Sequence, residues 1–163
     1  MAQLAAHRFR KPGVEGSTPF GSSKIMDTRH KGEIAKLKVM LRAADKGFFV
    51  SVPTTEGCRY DLVIDDHVRL WRAQCKYVTY KPSGSAGCVA VGLTKCSGYH
   101  KKGKYRPYTR QDIDVLVVYL PETDEIVWLP PEVWEGKSAV QLRTAPTLNR
   151  QVKKTILTSQ YLW

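Results

Sequence analysis

The chain has 163 residues, and 26 lysines and arginines against 15 acids give it a formal charge of +11 and a pI near 9.6. With 42% hydrophobic and 25% charged residues it has the composition of an ordinary globular protein of about one domain, which excludes a disordered or collagen-like chain. The charge points to a polyanionic partner, and the longest apolar run, Val115 to Leu120, is far too short to cross a bilayer.

Pro, Gly, Ser and Thr dominate Pro12 to Ser23, so residues 1–26 are expected to form a flexible leader and residues 27–163 a single packed domain. The segment Gly13-Val14-Glu15-Gly16-Ser17-Thr18-Pro19-Phe20 looks like an in-frame translation of the conserved arm of a transfer RNA gene. An ordinary linker is the plainer alternative, and Met26 is a possible start.

Ile34, Leu37, Leu41 and Ala44 recur at helical spacing and predict a first helix between Asp27 and Gly47 with those four on its packed stripe. Phe48 to Val52 reads as a strand, and Tyr60 to Ile64 and Val68 to Tyr80 read as an antiparallel hairpin around Asp65-Asp66-His67. Residues 81–111 are expected to be loops, with a short strand at Val89-Ala90-Val91. Ile113 to Leu120 has the β-branched run of a buried strand, which Glu122 to Glu125 turns toward a strand at Ile126 to Leu129. Pro130 and Pro131 open a short helix through Trp134, and Val152, Ile156 and Leu157 predict a terminal helix over residues 149–161. Cys58, Cys75, Cys88 and Cys96 form no CxxC pair and have no histidine at zinc-finger spacing, so free thiols and a cytoplasmic setting are expected.

The chemistry lies in an ordered set: Glu33 on the first helix, Asp61 on the second strand, then Gln74 and Lys76 on the third. Residues i and i+2 of a strand share a face, so Gln74 and Lys76 project together, and hairpin pairing can bring Asp61 beside them. An acid with a backbone carbonyl suits a hard divalent cation, and a nearby ammonium can orient an attacking water, an arrangement that cleaves phosphodiesters. Each residue alone has a plainer reading: Glu33 as a first-turn acid, Asp61 as the ion-pair partner of Arg59 or Arg72, Lys76 as an exposed strand lysine. The histidines His30, His67 and His100 lack the compact His and Asn motif of an HNH-type nuclease.

This set resembles the PD-(D/E)xK nucleases, and among them the small homing endonucleases of bacterial group I introns, over most of residues 29–135. Lys31-Gly32-Glu33-Ile34-Ala35 looks like the family's acid-bearing helix, Gly57-Cys58-Arg59-Tyr60-Asp61-Leu62 like its first metal-binding aspartate, and Ala73-Gln74-Cys75-Lys76-Tyr77 like its (D/E)xK strand. The resemblance implies an α/β fold with a restriction-endonuclease-like core of helix, three-strand antiparallel meander, helix and further strand. It implies Asp61, the Cys75 carbonyl and Glu33 as metal ligands, Gln74 as support for the metal shell, and Lys76 as the group that orients water or stabilises charge on the phosphate. Gln74 departs from the family's usual acid and removes a negative charge, which weakens the site's hold on Mg²⁺ or its substitute Mn²⁺.

Between Lys95 and Arg110, the cations Lys95, Lys101, Lys102, Lys104, Arg106 and Arg110 alternate with Tyr99, Tyr105 and Tyr108 without a single acid. Together with Lys81 these are the candidate contacts to double-stranded DNA, the cations to phosphates and the tyrosines to sugars or bases. The expected activity is site-specific, Mg²⁺-dependent double-strand cleavage at a long pseudo-palindromic site by a homodimer or homotetramer. The alternatives are a Holliday-junction resolvase and a nuclease-derived DNA-binding protein inactivated at Gln74.

Overall fold

A computed structural model describes residues 27–55, 57–79, 87–96, 105–146 and 156–163. Helix α1 spans Thr28–Asp45 and stops at Gly47, whose φ of 75° is the left-handed conformation that glycine adopts at little cost. Its buried residues are Ala35, Val39 and Ala43, whereas Leu37 and Leu41 are 62% and 59% exposed, so the stripe expected from Leu37 and Leu41 faces outward. The sequence carries two apolar stripes on this helix. The stripe with small side chains at both ends packs against the sheet, because alanine lets a helix approach it closely.

Strands β1 (Phe49–Ser51), β2 (Leu62–Asp65) and β3 (Leu70–Tyr77) form an antiparallel meander. In the turn between β2 and β3, the Asp66 carboxylate accepts hydrogen bonds from the Val68 and Arg69 amides and from the Trp71 indole at 3.0, 2.8 and 2.7 Å. His67 takes a positive φ of 68° there. The register pairs Leu62 with Ala73, and the Asp61 amide still donates to the Ala73 carbonyl at 2.9 Å, so Asp61 stands opposite Gln74 where the ladder ends.

After β3 the chain forms β4 (Cys88–Gly92), β5 (Thr94–Cys96) and β6 (Tyr105–Pro107) before β7 (Val115–Leu120), which pairs with β3 in parallel. Residues 81–111, expected to be loops with a short strand, hold β4, β5 and β6 over their described part. A parallel pairing needs only a crossover of sufficient length, and here strands supply it. Strand β8 (Glu125–Leu129) completes the five-stranded order β1-β2-β3-β7-β8, and helix α2 (Pro131–Trp134) follows. Strand β9 (Ala139–Arg143) pairs with β4 and, in parallel, with β10 (Ile156–Leu157) in a second sheet. The terminal helix expected over residues 149–161 does not form over its described part: Ile156 and Leu157 are in β10 and Thr158–Gln160 make one 3-10 turn. The Trp128 and Trp163 amides then donate to Tyr161 and Ile126, which closes the β8 edge.

All six residues of β7 are buried, as its β-branched run predicts, and its alternate side chains enter two apolar cores. One contains Ala35, Val39 and Ala43 of α1 with Leu62, Ala73, Cys75, Val115 and Val117. The other contains Val89, Val91, Tyr108, Leu116, Val118, Trp134 and Leu142. Among the described residues no helix is long and apolar enough to cross a membrane. The expected leader, residues 1–26, lies outside the described residues.

Candidate active site

Where β2 and β3 part, Asp61, Gln74 and the Cys75 backbone come together. Asp61 Oδ2 accepts the Cys75 amide at 2.9 Å and the Gln74 side-chain amide in a very close contact, and the same Gln74 Nε2 lies 3.3 Å from the Cys75 carbonyl oxygen. Gln74 is only 6% exposed, and its Oε1 is buried with no hydrogen-bond partner. A buried acceptor without a partner costs about 1–3 kcal/mol, so it marks a place where packing alone does not satisfy the chain.

A side-chain amide keeps its shape when turned over, and the reversed Gln74 amide brings its oxygen against Asp61 Oδ2 and the Cys75 carbonyl. Three oxygens so placed repel one another unless a cation lies among them, which is a donor set suited to a hard divalent ion. Among the described residues no three His, Cys, Asp or Glu side chains gather into a metal-holding group, so such an ion would depend on amide and carbonyl oxygens beside one strand acid.

Glu33 reaches the same place from α1. It lines a cleft of about 330 Å³ with Lys36, Cys58, Tyr60 and Asp61, and its carboxylate pairs with Lys36 Nζ at 2.7 Å. Lys36 escaped the sequence analysis although its position, three residues after Glu33, puts the two on one helix face. Cys75 turns its side chain into the core, where burial and then the Asp61 charge push the thiol well above its ordinary value. Only its backbone therefore serves the site.

Lys76 shares the Gln74 face, and its Nζ lies 5.3 Å from the centre of the Tyr108 ring. Arg59 and Arg72, the partners in the plainer reading of Asp61, form ion pairs with Asp112 at 3.3 Å and Asp114 at 3.0 Å.

The candidate DNA contacts divide. Lys81, Tyr99, Lys101, Lys102 and Lys104 lie outside the described residues, while Lys95 and Tyr105 fall on β5 and β6. Arg106 pairs with Asp112 at 2.7 Å, and Arg110 with Glu132 and Glu135 at 3.1 and 2.5 Å, so the fold brings acids to a stretch that has none of its own. Tyr108 is corrected outright. It is 2% exposed and packed in the second core, which leaves no face for a sugar or base. Its neighbours in sequence are basic and polar, so nothing local signals that it is buried.

The sequence matches the PD-(D/E)XK endonuclease family over residues 26–162. The fold is similar to that of a bacterial homing endonuclease, I-Ssp6803I, with a TM-score of 0.64 and 25% identity over 83% of this chain and 88% of that one. Among curated proteins no match is found. With that match over residues 26–162, the chain belongs to the PD-(D/E)XK endonuclease family and is a DNA endonuclease.

Proposed function

We propose that the chain is a site-specific, Mg²⁺-dependent double-strand endonuclease of the intron-homing kind. The observation that carries this reading is the convergence of Asp61, the Gln74 amide and the Cys75 carbonyl on the strand face that also bears Lys76. Asp61, the Cys75 carbonyl and a reversed Gln74 amide would hold the divalent ion, with Glu33 as a direct or water-mediated ligand once it leaves Lys36. When bound, the ion neutralises charge on the scissile phosphate and makes its water more acidic. The Lys76 ammonium orients the attacking water or stabilises the charge that develops on the phosphate.

The likeness to a homing endonuclease supports the homing reading, and the strongly basic chain supports a duplex DNA substrate. A chain of this size reads a long site best as a symmetric homodimer or homotetramer on a pseudo-palindrome, acting in the cytoplasm. The leader's likeness to a translated transfer RNA gene arm suggests an uninterrupted gene of that kind as the target.

The test is cleavage of a plasmid library of bacterial transfer RNA genes by wild type and Asp61→Ala, with Mg²⁺ and with EDTA. A unique Mg²⁺-dependent cut that Asp61→Ala abolishes is expected. Cleavage of four-way junctions but not of linear duplex would identify a resolvase instead. Salt-sensitive DNA binding without any cutting would mean that Gln74 has ended catalysis.

A further inference from the structure

Tyr108 comes from a stretch that reads as DNA-contacting surface, yet it is buried with its ring beside Lys76. Its amide donates to the Leu93 carbonyl at 3.1 Å, which fixes its backbone beyond β6. Two cations lie on its ring, Arg59 at 4.9 Å and Lys76 at 5.3 Å from the centroid. Arg59 is itself held in place: its Nη2 donates to the Pro107 and Arg106 carbonyls at 2.9 and 3.3 Å, and its Nε lies 3.3 Å from Asp112 Oδ1. The charged groups around the ring are thus Arg59, Lys76, Asp61 and Asp112. Burial first, and then the Asp61 and Asp112 charges, push the Tyr108 hydroxyl up to about 12, so the ring stays neutral across the working range of pH.

A lysine side chain has four rotatable bonds, and an ammonium free to sample them spends little time at one point. An aromatic face attracts a cation by roughly 0.5–2 kcal/mol, most strongly where water is excluded. We propose that Tyr108 is a positioning residue for Lys76: its buried ring, locked by Arg59, holds the ammonium on the face that carries Asp61 and Gln74. The proposal rests on the nuclease reading of Lys76 and adds to it the residue that sets where the ammonium stands. It also explains why a tyrosine between Pro107 and Thr109, far from β3 in sequence, lies against the site strand.

The test uses the full-length protein. Tyr108→Phe keeps the ring and is expected to keep kcat, whereas Tyr108→Leu is expected to lower kcat about tenfold with KM for DNA unchanged. Because loss of a buried ring can unfold the protein, a second series places phenylalanine, then mono- and trifluorophenylalanine, at position 108. These nearly isosteric rings have progressively weaker negative faces, so a stepwise fall in kcat is expected with the melting temperature unchanged across the series. A flat fluorination series, or a fall in kcat that only follows a fall in melting temperature, would overturn the proposal.

A readout independent of cleavage is the NMR shift of the Lys76 ε-methylene protons. Tyr108 should move them upfield by its ring current, and Tyr108→Leu should return them to the range of the other lysines. An unshifted signal in the wild type overturns the positioning role. A shifted signal in a protein that cuts no DNA supports the contact and counts against the nuclease reading alone.

Discussion

Two polar clusters of opposite kinds lie two residues apart on β3. At Arg72, the side chain donates to Asp114 Oδ2 and Oδ1, each at 3.0 Å, and to the Gln111 and Arg110 carbonyls at 2.5 and 2.9 Å. The Arg72 amide adds a bond to Asp114 Oδ2 at 2.8 Å, and the Asp114 amide returns one to the Arg72 carbonyl at 2.9 Å. Two residues further on, Gln74 presents a buried oxygen with no partner beside an aspartate that its own amide crowds. The first cluster satisfies itself and ties β3 to the chain leading into β7. The second leaves one buried oxygen without a partner, and on that contrast the proposed metal site rests.

The comparison is broken most severely by Asp61→Ala. Cleavage should fall by at least about 10³-fold, while a gel-shift assay should show DNA binding kept. Gln74→Glu sharpens it in the opposite direction: the restored carboxylate should reduce the Mg²⁺ needed for half-maximal cleavage by about tenfold. The same change should destabilise the metal-free protein, because two carboxylates then face each other at close range.

In the first cluster, Arg72→Ala should cost about 1–2 kcal/mol of stability, a modest figure because the guanidinium is partly open to solvent. Urea denaturation measures that loss, and cleavage per folded molecule should be unchanged. The smallest effect is on acid stability. Burial alone pushes the Asp114 carboxyl up, but the hydrogen bonds and charge of Arg72 outweigh it, and the group ionises below the ordinary aspartate range. Its contribution is therefore fully present above about pH 4, the unfolded value, and is lost as pH falls through the depressed folded one. Between pH 7 and pH 3, wild type should lose more stability than Asp114→Asn.

The second cluster was legible in sequence because its parts obey local rules. Strand alternation puts Gln74 and Lys76 on one face, and hairpin register brings Asp61 opposite Gln74. Its surroundings were not legible. Tyr108 comes from the crossover between β3 and β7 and Arg59 from the segment before β2, and no local period links them to Lys76. On α1, hydropathy alone favours Leu37 and Leu41, while the inward stripe is decided by how closely Ala35 and Ala43 let the helix approach the sheet. The final segment has helical spacing at Val152, Ile156 and Leu157, but pairing with β9 takes Ile156 and Leu157 into a strand. The basic run from Lys95 to Arg110 lacks acids in sequence, and only the fold shows that Asp112, Glu132 and Glu135 meet two of its arginines.

The most direct measurement of the β3 contrast is a Mn²⁺ titration followed through backbone amide NMR signals. Paramagnetic broadening should be centred on Asp61, Gln74 and Cys75, fall off with distance from them, and disappear from those three in Asp61→Ala. Broadening that is centred elsewhere, or that is unchanged in Asp61→Ala, would contradict the assignment of the unsatisfied cluster as the metal site.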